Sequence, residues 1–448
     1  MSMDARGGAV RGTRRFRRGE FLRIGGAGLA GAALLGSGAL AGCGGGEEGG
    51  SGTVTYAEGP DDTGTLKKLL DGFNKKYKGK YTARHREMPA DTQGYFDKLR
   101  TELQAGNSDI DVIAGDVIWP AQLASNGWLM DLSDRFTKGL QDKFIKGNVE
   151  SNVYKGKIYG VPFVTGAGLI YYRKDLLEKS GFTSAPETWD ELKQMALKVK
   201  QDSGTRFGFV FEGANYEGGV CDGLEYIWTH GGDVLKGDRV VIDSPEAAAG
   251  LATYHSMVSD GVTTEAMATY KEEEAQGAFL RGDAVFMRNW SYVYALTSDP
   301  AQSKIKPEQV GLSTLPVARK GMPLSSALGA TNLFINSTSK NADGAWALIK
   351  YFTAPEQQKM RAIEGARLPV TKVSYEDQEL LKKVPVMKLG KEALKTARPR
   401  PVSPYYSDMS LKMAEEFFNV LKGDTAPEQA VGRLQGELQS IIKQGKNA

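Results

Sequence analysis

Carboxylates and aromatic rings that fall just after candidate strands are the residues best placed to do chemistry in this chain. Glu58 follows Val54-Thr55-Tyr56-Ala57, Asp91 follows the run from Tyr81 to Met88, and Asp116 follows Ile110-Asp111-Val112-Ile113-Ala114. Trp290 ends a further candidate strand, within Met287-Arg288-Asn289-Trp290-Ser291-Tyr292. Two chemistries suit such residues. Carboxylates accept hydrogen bonds from sugar hydroxyls, while indole and phenol rings cover the C–H faces of a sugar. Alternatively, two of Glu58, Asp91 and Asp116 could act as acid and base on a glycosidic bond. Arg367, in Gly365-Ala366-Arg367-Leu368-Pro369, could donate two hydrogen bonds to a hydroxyl pair. Trp290 is expected to stack on a ligand. Trp128, Trp189 and Trp346 are expected to pack in cores, and Trp119 and Trp228 stay open between the two roles.

Other chemistries lack their signatures. There is no Gly-x-Ser-x-Gly elbow, no Gly-x-Gly-x-x-Gly after a strand, no P-loop and no Asp-x-Asp-x-Asp-Gly calcium loop. The chain has two cysteines, Cys43 and Cys221, and three histidines, His85, His230 and His255. That excludes a disulfide scaffold, a cysteine-rich zinc site and an iron–sulfur protein. No catalytic residue, metal or cofactor is expected.

The elements that must position these residues repeat one pattern. A strand at 54–57, a helix from Thr65 to Tyr77, a strand from Tyr81, a helix from Tyr95 to Ala105 and a strand at 110–114 give the order β-α-β-α-β. Such an order builds a parallel sheet covered by helices, with its ligand crevice at the carboxyl ends of the strands. The pattern restarts with a strand at 168–172. A capping box follows at Thr188 and Glu191, then strands at 207–211, 282–287 and 331–335, and a helix at 340–353. The last 70 residues read as mostly helical. The fold class is therefore α/β, with two lobes that each hold a mainly parallel sheet.

The 448 residues are 41% hydrophobic and 25% charged, enough to bury large cores. The charge is uneven along the chain. The first 42 residues carry seven arginines against Asp4 and Glu20; without them 50 basic and 52 acidic residues remain, a net of −2. A weakly acidic body argues against nucleic-acid binding. Arginines up to Arg23, then an uncharged Gly/Ala/Leu run from Ile24 to Gly42, read as a secretory signal at 1–42. Leu40-Ala41-Gly42-Cys43 resembles a bacterial lipobox, which implies lipidation at Cys43. Arg17-Arg18-Gly19-Glu20-Phe21-Leu22-Arg23 resembles a twin-arginine signal with one extra position, so export by the Sec or the twin-arginine route is expected. Residues 43–52 form a Gly/Glu/Ser tether. The expected location is the outer face of a bacterial cell membrane.

The body from about Thr53 onward resembles the extracytoplasmic solute-binding proteins of bacterial ABC importers, in the sugar-binding family that includes maltose-binding protein. The residues that carry the resemblance are Gly160-Val161-Pro162-Phe163, Gly168-Leu169-Ile170-Tyr171-Tyr172-Arg173-Lys174-Asp175-Leu176, Pro186-Glu187-Thr188-Trp189-Asp190-Glu191-Leu192 and Gly277-Ala278-Phe279-Leu280-Arg281-Gly282-Asp283-Ala284. The stretch from Phe211 to Asp222 resembles the trehalose/maltose-binding branch. This resemblance implies a two-lobed periplasmic-binding-protein fold of the class II type, with the cleft between the lobes. Lobe one would hold 53–164 and 332–376, and lobe two 165–331 and 377–448. Chain crossings would fall near Val164–Thr165 and Ala330–Thr331. Implied ligand contacts are Glu58, Asp91, Asp116, Tyr171, Tyr216, Glu217, Trp228, Trp290, Gly329, Ala330 and Arg367. The implied protein is a monomer that captures an α-linked disaccharide and hands it to ABC permease subunits. The alternatives are a secreted glycoside hydrolase, or a binding protein for another oligosaccharide or sugar derivative.

Overall fold

The computed structural model describes residues 52–447 apart from Asp238. The expected leader at 1–42, the expected lipidation site Cys43 and the expected tether up to residue 51 lie outside the described residues. Strands β1 (Gly52–Glu58), β2 (Tyr81–Glu87) and β3 (Val112–Asp116) alternate with helices α1 (Thr65–Lys76) and α2 (Thr92–Gln104), in the expected order. β1 pairs in parallel with both β2 and β3. Successive β1 side chains serve opposite faces. Val54 and Tyr56 join Leu66, Leu69 and Phe73 of α1 on one side, and Ala57 joins Tyr95, Phe96 and Leu99 of α2 on the other. A sheet covered on both faces needs apolar residues at nearly every position, as Val112–Ala114 supply.

The chain then crosses to a second sheet. β4 (Gly160–Ala167) is followed after only Gly168 by β5 (Leu169–Arg173). Next come α3 (Trp189–Ser203), β6 (Phe207–Val210), α4 (Glu217–Thr229), α5 (Pro245–Ser259), α6 (Glu272–Leu280), β7 (Ala284–Asn289) and β8 (Val310–Ser313). α3 opens with the expected capping box: Thr188 Oγ1 accepts from the Glu191 N–H at 3.2 Å, and Glu191 Oε2 accepts from the Thr188 N–H at 3.3 Å. β9 (Ser326–Ile335) returns to the first sheet, followed by α7 (Ala342–Phe352), α8 (Pro355–Gly365), β10 (Ala397–Arg398), α9 (Tyr406–Lys422) and α10 (Pro427–Asn447). No helix of the described residues is long and apolar enough to cross a membrane.

The first sheet has the order β10-β9-β3-β1-β2, with β4 also paired to β9. The second has the order β8-β5-β7-β6. It is mixed rather than mainly parallel. Only β7 and β6 run parallel, while β5 is antiparallel to both β7 and β8. β4 and β9 lie side by side and antiparallel, with Ala330 opposite Thr165 and Thr331 opposite Val164. The two expected crossing points are thus paired with each other, and β9 is irregular between Thr331 and Asn332.

The Gly-rich stretch after Phe211 soon becomes helical. From Glu217 it is α4, whose every residue is buried. A Cβ at Gly223 would lie 2.3 Å from the Phe417 ring of α9, so glycine lets these two helices touch backbone to ring. This close contact places the N-terminus of α4, with Tyr216 and Glu217, at the gap between the sheets.

Candidate ligand cleft

A cavity of about 180 Å³ lies in that gap. Asp91 and Asp116 reach it from the first sheet's side, Glu212, Tyr216, Glu217 and Glu272 from the second, and Gly329 and Ala330 of β9 form part of its wall. Trp290, Tyr292, Arg367 and Arg400 complete the polar and aromatic lining.

Trp290 is held from several directions. Its N–H donates to Asn289 Oδ1 at 2.7 Å, and its carbonyl accepts from the Tyr171 hydroxyl at 2.7 Å. The Arg288 guanidinium lies 4.0 Å from the ring centroid. Gly329 is what lets the indole lie against β9, because a Cβ there would sit 2.6 Å from the ring. Trp290 remains half-buried and faces the cavity.

Arg288 itself is the centre of a buried charge cluster. It pairs with Glu212 at 2.8 Å, Asp222 at 2.8 Å and Glu225 at 2.7 Å, and all four side chains are at most 2% exposed. One cation faces three carboxylates. Burial outweighs its attraction and pushes the Glu212 and Asp222 carboxyls up from their ordinary range. Glu212 also accepts from the Tyr216 hydroxyl, and so joins this cluster to the cavity wall.

A second arginine spans the cavity. Arg400 lies between β10 and α9 and donates to Asp116 at 2.5 Å and to Glu217 at 2.6 Å. Asp116 ends β3 of the first sheet, and Glu217 opens α4 beside the second. Glu217 further accepts from the Tyr406 hydroxyl at 2.7 Å and from Ser410 Oγ. Burial still holds its carboxyl above the usual range despite Arg400. At the mouth, Lys271 lies 3.5 Å from Asp91 and over the Tyr216 ring at 5.4 Å.

Glu272 is a further perturbed acid of the wall. Burial, then the Glu212 charge, push its carboxyl up to about 8, so it is mostly protonated at neutral pH. The Tyr292 hydroxyl donates to Glu272 Oε1 at 2.6 Å and lies 2.7 Å from Gln276 Oε1. Arg367 stacks on the Tyr292 ring at 4.4 Å. Its buried Nε has no protein partner and remains a donor for a ligand.

Of the eleven ligand contacts implied by the sequence, Asp91, Asp116, Tyr216, Glu217, Trp290, Gly329, Ala330 and Arg367 come together on the wall. Glu58, Tyr171 and Trp228 lie off it. Glu58 accepts from the Tyr56 hydroxyl at 2.9 Å. Tyr171 is buried in β5 and acts on the site through the Trp290 carbonyl. Trp228 is buried in α4, with Arg398 over its ring at 4.9 Å. The three carboxylates considered for glycoside hydrolysis are therefore separated, one off the wall and two ion-paired. Sequence reasoning missed Glu212, Glu272 and Arg400. Glu272 begins the run Glu272-Glu273-Glu274, which reads as an exposed helix start. Arg400 did carry a signal: Pro399 and Pro401 flank it and mark an extended segment in a helical tail.

The family described as bacterial extracellular solute-binding protein matches residues 57–359. This chain belongs to it. The match spans β1 to α8 and so includes both sheets and most of the cleft wall. A Deinococcus radiodurans protein named probable ABC transporter-binding protein is 32% identical over 391 residues, which cover 85% of this chain and 90% of that one. The structure of maltose-bound MalE3 from T. maritima is 38% identical, with a TM-score of 0.82 over 87% of this chain and 100% of that one. The GacH receptor of Streptomyces glaucescens, solved unliganded and with acarbose, shares the fold at 24% identity and a TM-score of 0.79, over 88% of this chain and 99% of that one. The chain is thus a solute-binding protein of the ABC-importer type, with the two-lobed fold of that family.

Proposed function

We propose that this solute-binding protein captures an α-linked disaccharide, maltose or trehalose, between its lobes and delivers it to ABC permease subunits. The observation that carries this reading is the seating of Trp290. A preset indole face, ringed by carboxylates that accept hydroxyl hydrogen bonds and by the free donor of Arg367, matches a sugar's apolar face and polar edge. The maltose bound by the T. maritima protein supports the choice of an α-disaccharide. Lobe one is proposed to comprise 53–164 and 332–376, and lobe two 165–331 and 377–448. A sugar touching both would favour the closed arrangement by its greater affinity for it. The lipobox-like Leu40-Ala41-Gly42-Cys43 supports an acyl anchor at Cys43 on the outer face of the membrane.

Thermal unfolding of residues 53–448 against mono- and disaccharides tests the ligand. At 100 times its dissociation constant a sugar should add about 2.7 kcal/mol of stability. A rise of a few degrees with one α-disaccharide and not with its isomers is expected. A shift only with another sugar would move the assignment to that sugar, and steady product release from a disaccharide would replace binding with hydrolysis. Trp290→Ala should weaken sugar binding by about 1–3 kcal/mol, through lost stacking and burial. Isothermal titration of both proteins checks this, and equal affinities would remove Trp290 from the site.

A further inference from the structure

A second, more apolar cavity lies away from the cleft. A pocket of about 560 Å³ opens on the first sheet's half, and it shares no lining residue with the cleft. Phe136, Phe144, Val161, Trp346 and Ile349 supply an apolar lining. Phe136 and Phe144 meet edge to face at 5.2 Å, and Trp346 and Ile349 come from α7. The volume falls within the range of small-molecule sites, about 300–1,000 Å³, and the composition matches them too: mostly apolar, with a few charges to fix orientation.

Those charges are predominantly positive. Lys143, Lys350 and Lys372 line the pocket. The Lys372 N–H donates to the Lys143 carbonyl at 3.0 Å, which places two of the lysines on neighbouring backbone segments. Among the described residues none of the three has a carboxylate partner; Lys372 Nζ donates only to the Asp142 carbonyl, at 2.8 Å. Asp142 and Glu376 also line the pocket; the Asp142 carboxylate is paired with Lys138 at 2.5 Å, so three unpaired ammonium groups stand against the single carboxylate of Glu376. An apolar hollow with a surplus of unpaired ammonium groups suits a ligand with a hydrocarbon body and an anionic end. A sugar matches neither part, since this lining offers few acceptors for hydroxyls.

We infer that this pocket binds a free fatty carboxylate, with its chain against Phe136, Phe144 and Trp346 and its carboxylate at Lys143, Lys350 and Lys372. Trp346 makes the test specific, because a brominated chain quenches an indole that it touches. Brominated myristate should quench part of the fluorescence of the wild-type body 53–448 in a saturable way. Trp346→Phe should remove that part, and Lys143→Glu/Lys350→Glu should weaken binding at least tenfold. The corresponding brominated long-chain amine should bind the wild type at least tenfold more weakly than the acid. These lysines lie on the pocket lining and away from the cleft, so the sugar-induced rise in melting temperature reports in the same samples that the variants are folded. Equal quenching by acid and amine would overturn the inference, as would quenching that survives Trp346→Phe unchanged. Recruitment to anionic phospholipid vesicles without quenching by the dissolved acid would also overturn it, in favour of a bilayer lipid.

Discussion

Arg288→Met is expected to cost about 3–5 kcal/mol or more of folding stability, because it leaves Glu212, Asp222 and Glu225 buried without their shared cation. The three acids come from separate places: Glu212 follows β6, while Asp222 and Glu225 stand three apart on α4. Arg288 on β7 joins them. Its fork also positions β9, since Glu225 Oε1 accepts from the Ala327 N–H at 2.9 Å. Lys at 288 keeps the charge but cannot reproduce the two bonds from Nε and Nη2 to Glu225, so Arg288→Lys should fall between wild type and Met. Chemical denaturation of the three proteins gives the order directly. A Met variant within 1 kcal/mol of wild type would mean that the acids simply take up protons. Trp290 reads the same change from the cavity side, because its ring loses the guanidinium beneath it. Any folded Arg288 variant should therefore bind sugar more weakly than wild type.

The alternation of strand and helix was legible because both faces of the first sheet are buried. Such strands must be apolar throughout, and Val112-Ile113-Ala114 stands out in any window. Trp290 was legible for a related reason: a large ring next to a buried strand's end has little to do but face the crevice. What the chain concealed was pairing at a distance. Arg288 and its three acids are separated by 63 to 76 residues, and an arginine inside an apolar strand gives no hint of which carboxylates will meet it. Gly218, Gly219 and Gly223 stand inside α4, although glycine is a poor helix former. In the fold Gly223 allows close packing on Phe417, almost two hundred residues later, while Gly218 and Gly219 make room for the segment from Glu212 to Tyr216. Trp228 shows the limit of carrying residues over from a resemblance. Its place in the chain suited a ligand contact, but the helix phase turns it into the core against Arg398. The mixed second sheet was hidden because β5 pairs with β7 and β8, strands that follow it by more than a hundred residues.

Arg400→Gln is the second large effect expected, and its pH dependence separates it from a loss of packing. Arg400 is 2% exposed and is the only cation bonded to Glu217 among the described residues. Without it Glu217 keeps only neutral donors, Tyr406 and Ser410, and Asp116 loses its ion pair at the cavity wall. Removing one partner of a buried pair costs about 3–5 kcal/mol. The Glu217 carboxyl already lies above its ordinary range in the wild type, and losing Arg400 raises it further. A carboxyl raised by folding binds more protons folded than unfolded, so its contribution is greatest below the unfolded value and is lost as pH rises toward the folded one. The variant should thus approach wild-type stability near pH 4–5 and fall away progressively toward pH 7. Denaturant midpoints measured across that range test this. A gap that does not change with pH would assign the loss to packing and not to an unpaired charge. Adding Glu217→Gln to Arg400→Gln should recover part of the loss at pH 7, because the buried charge is gone, and the double-mutant cycle then gives the coupling itself. The same pair bears on the ligand. Arg400 joins the end of β3 to the start of α4, so part of the contact between the two halves of the cleft is made by the protein's own side chains. A folded double variant should consequently bind sugar more weakly than wild type even if the sugar never touches Arg400, since the ligand must then hold that contact alone.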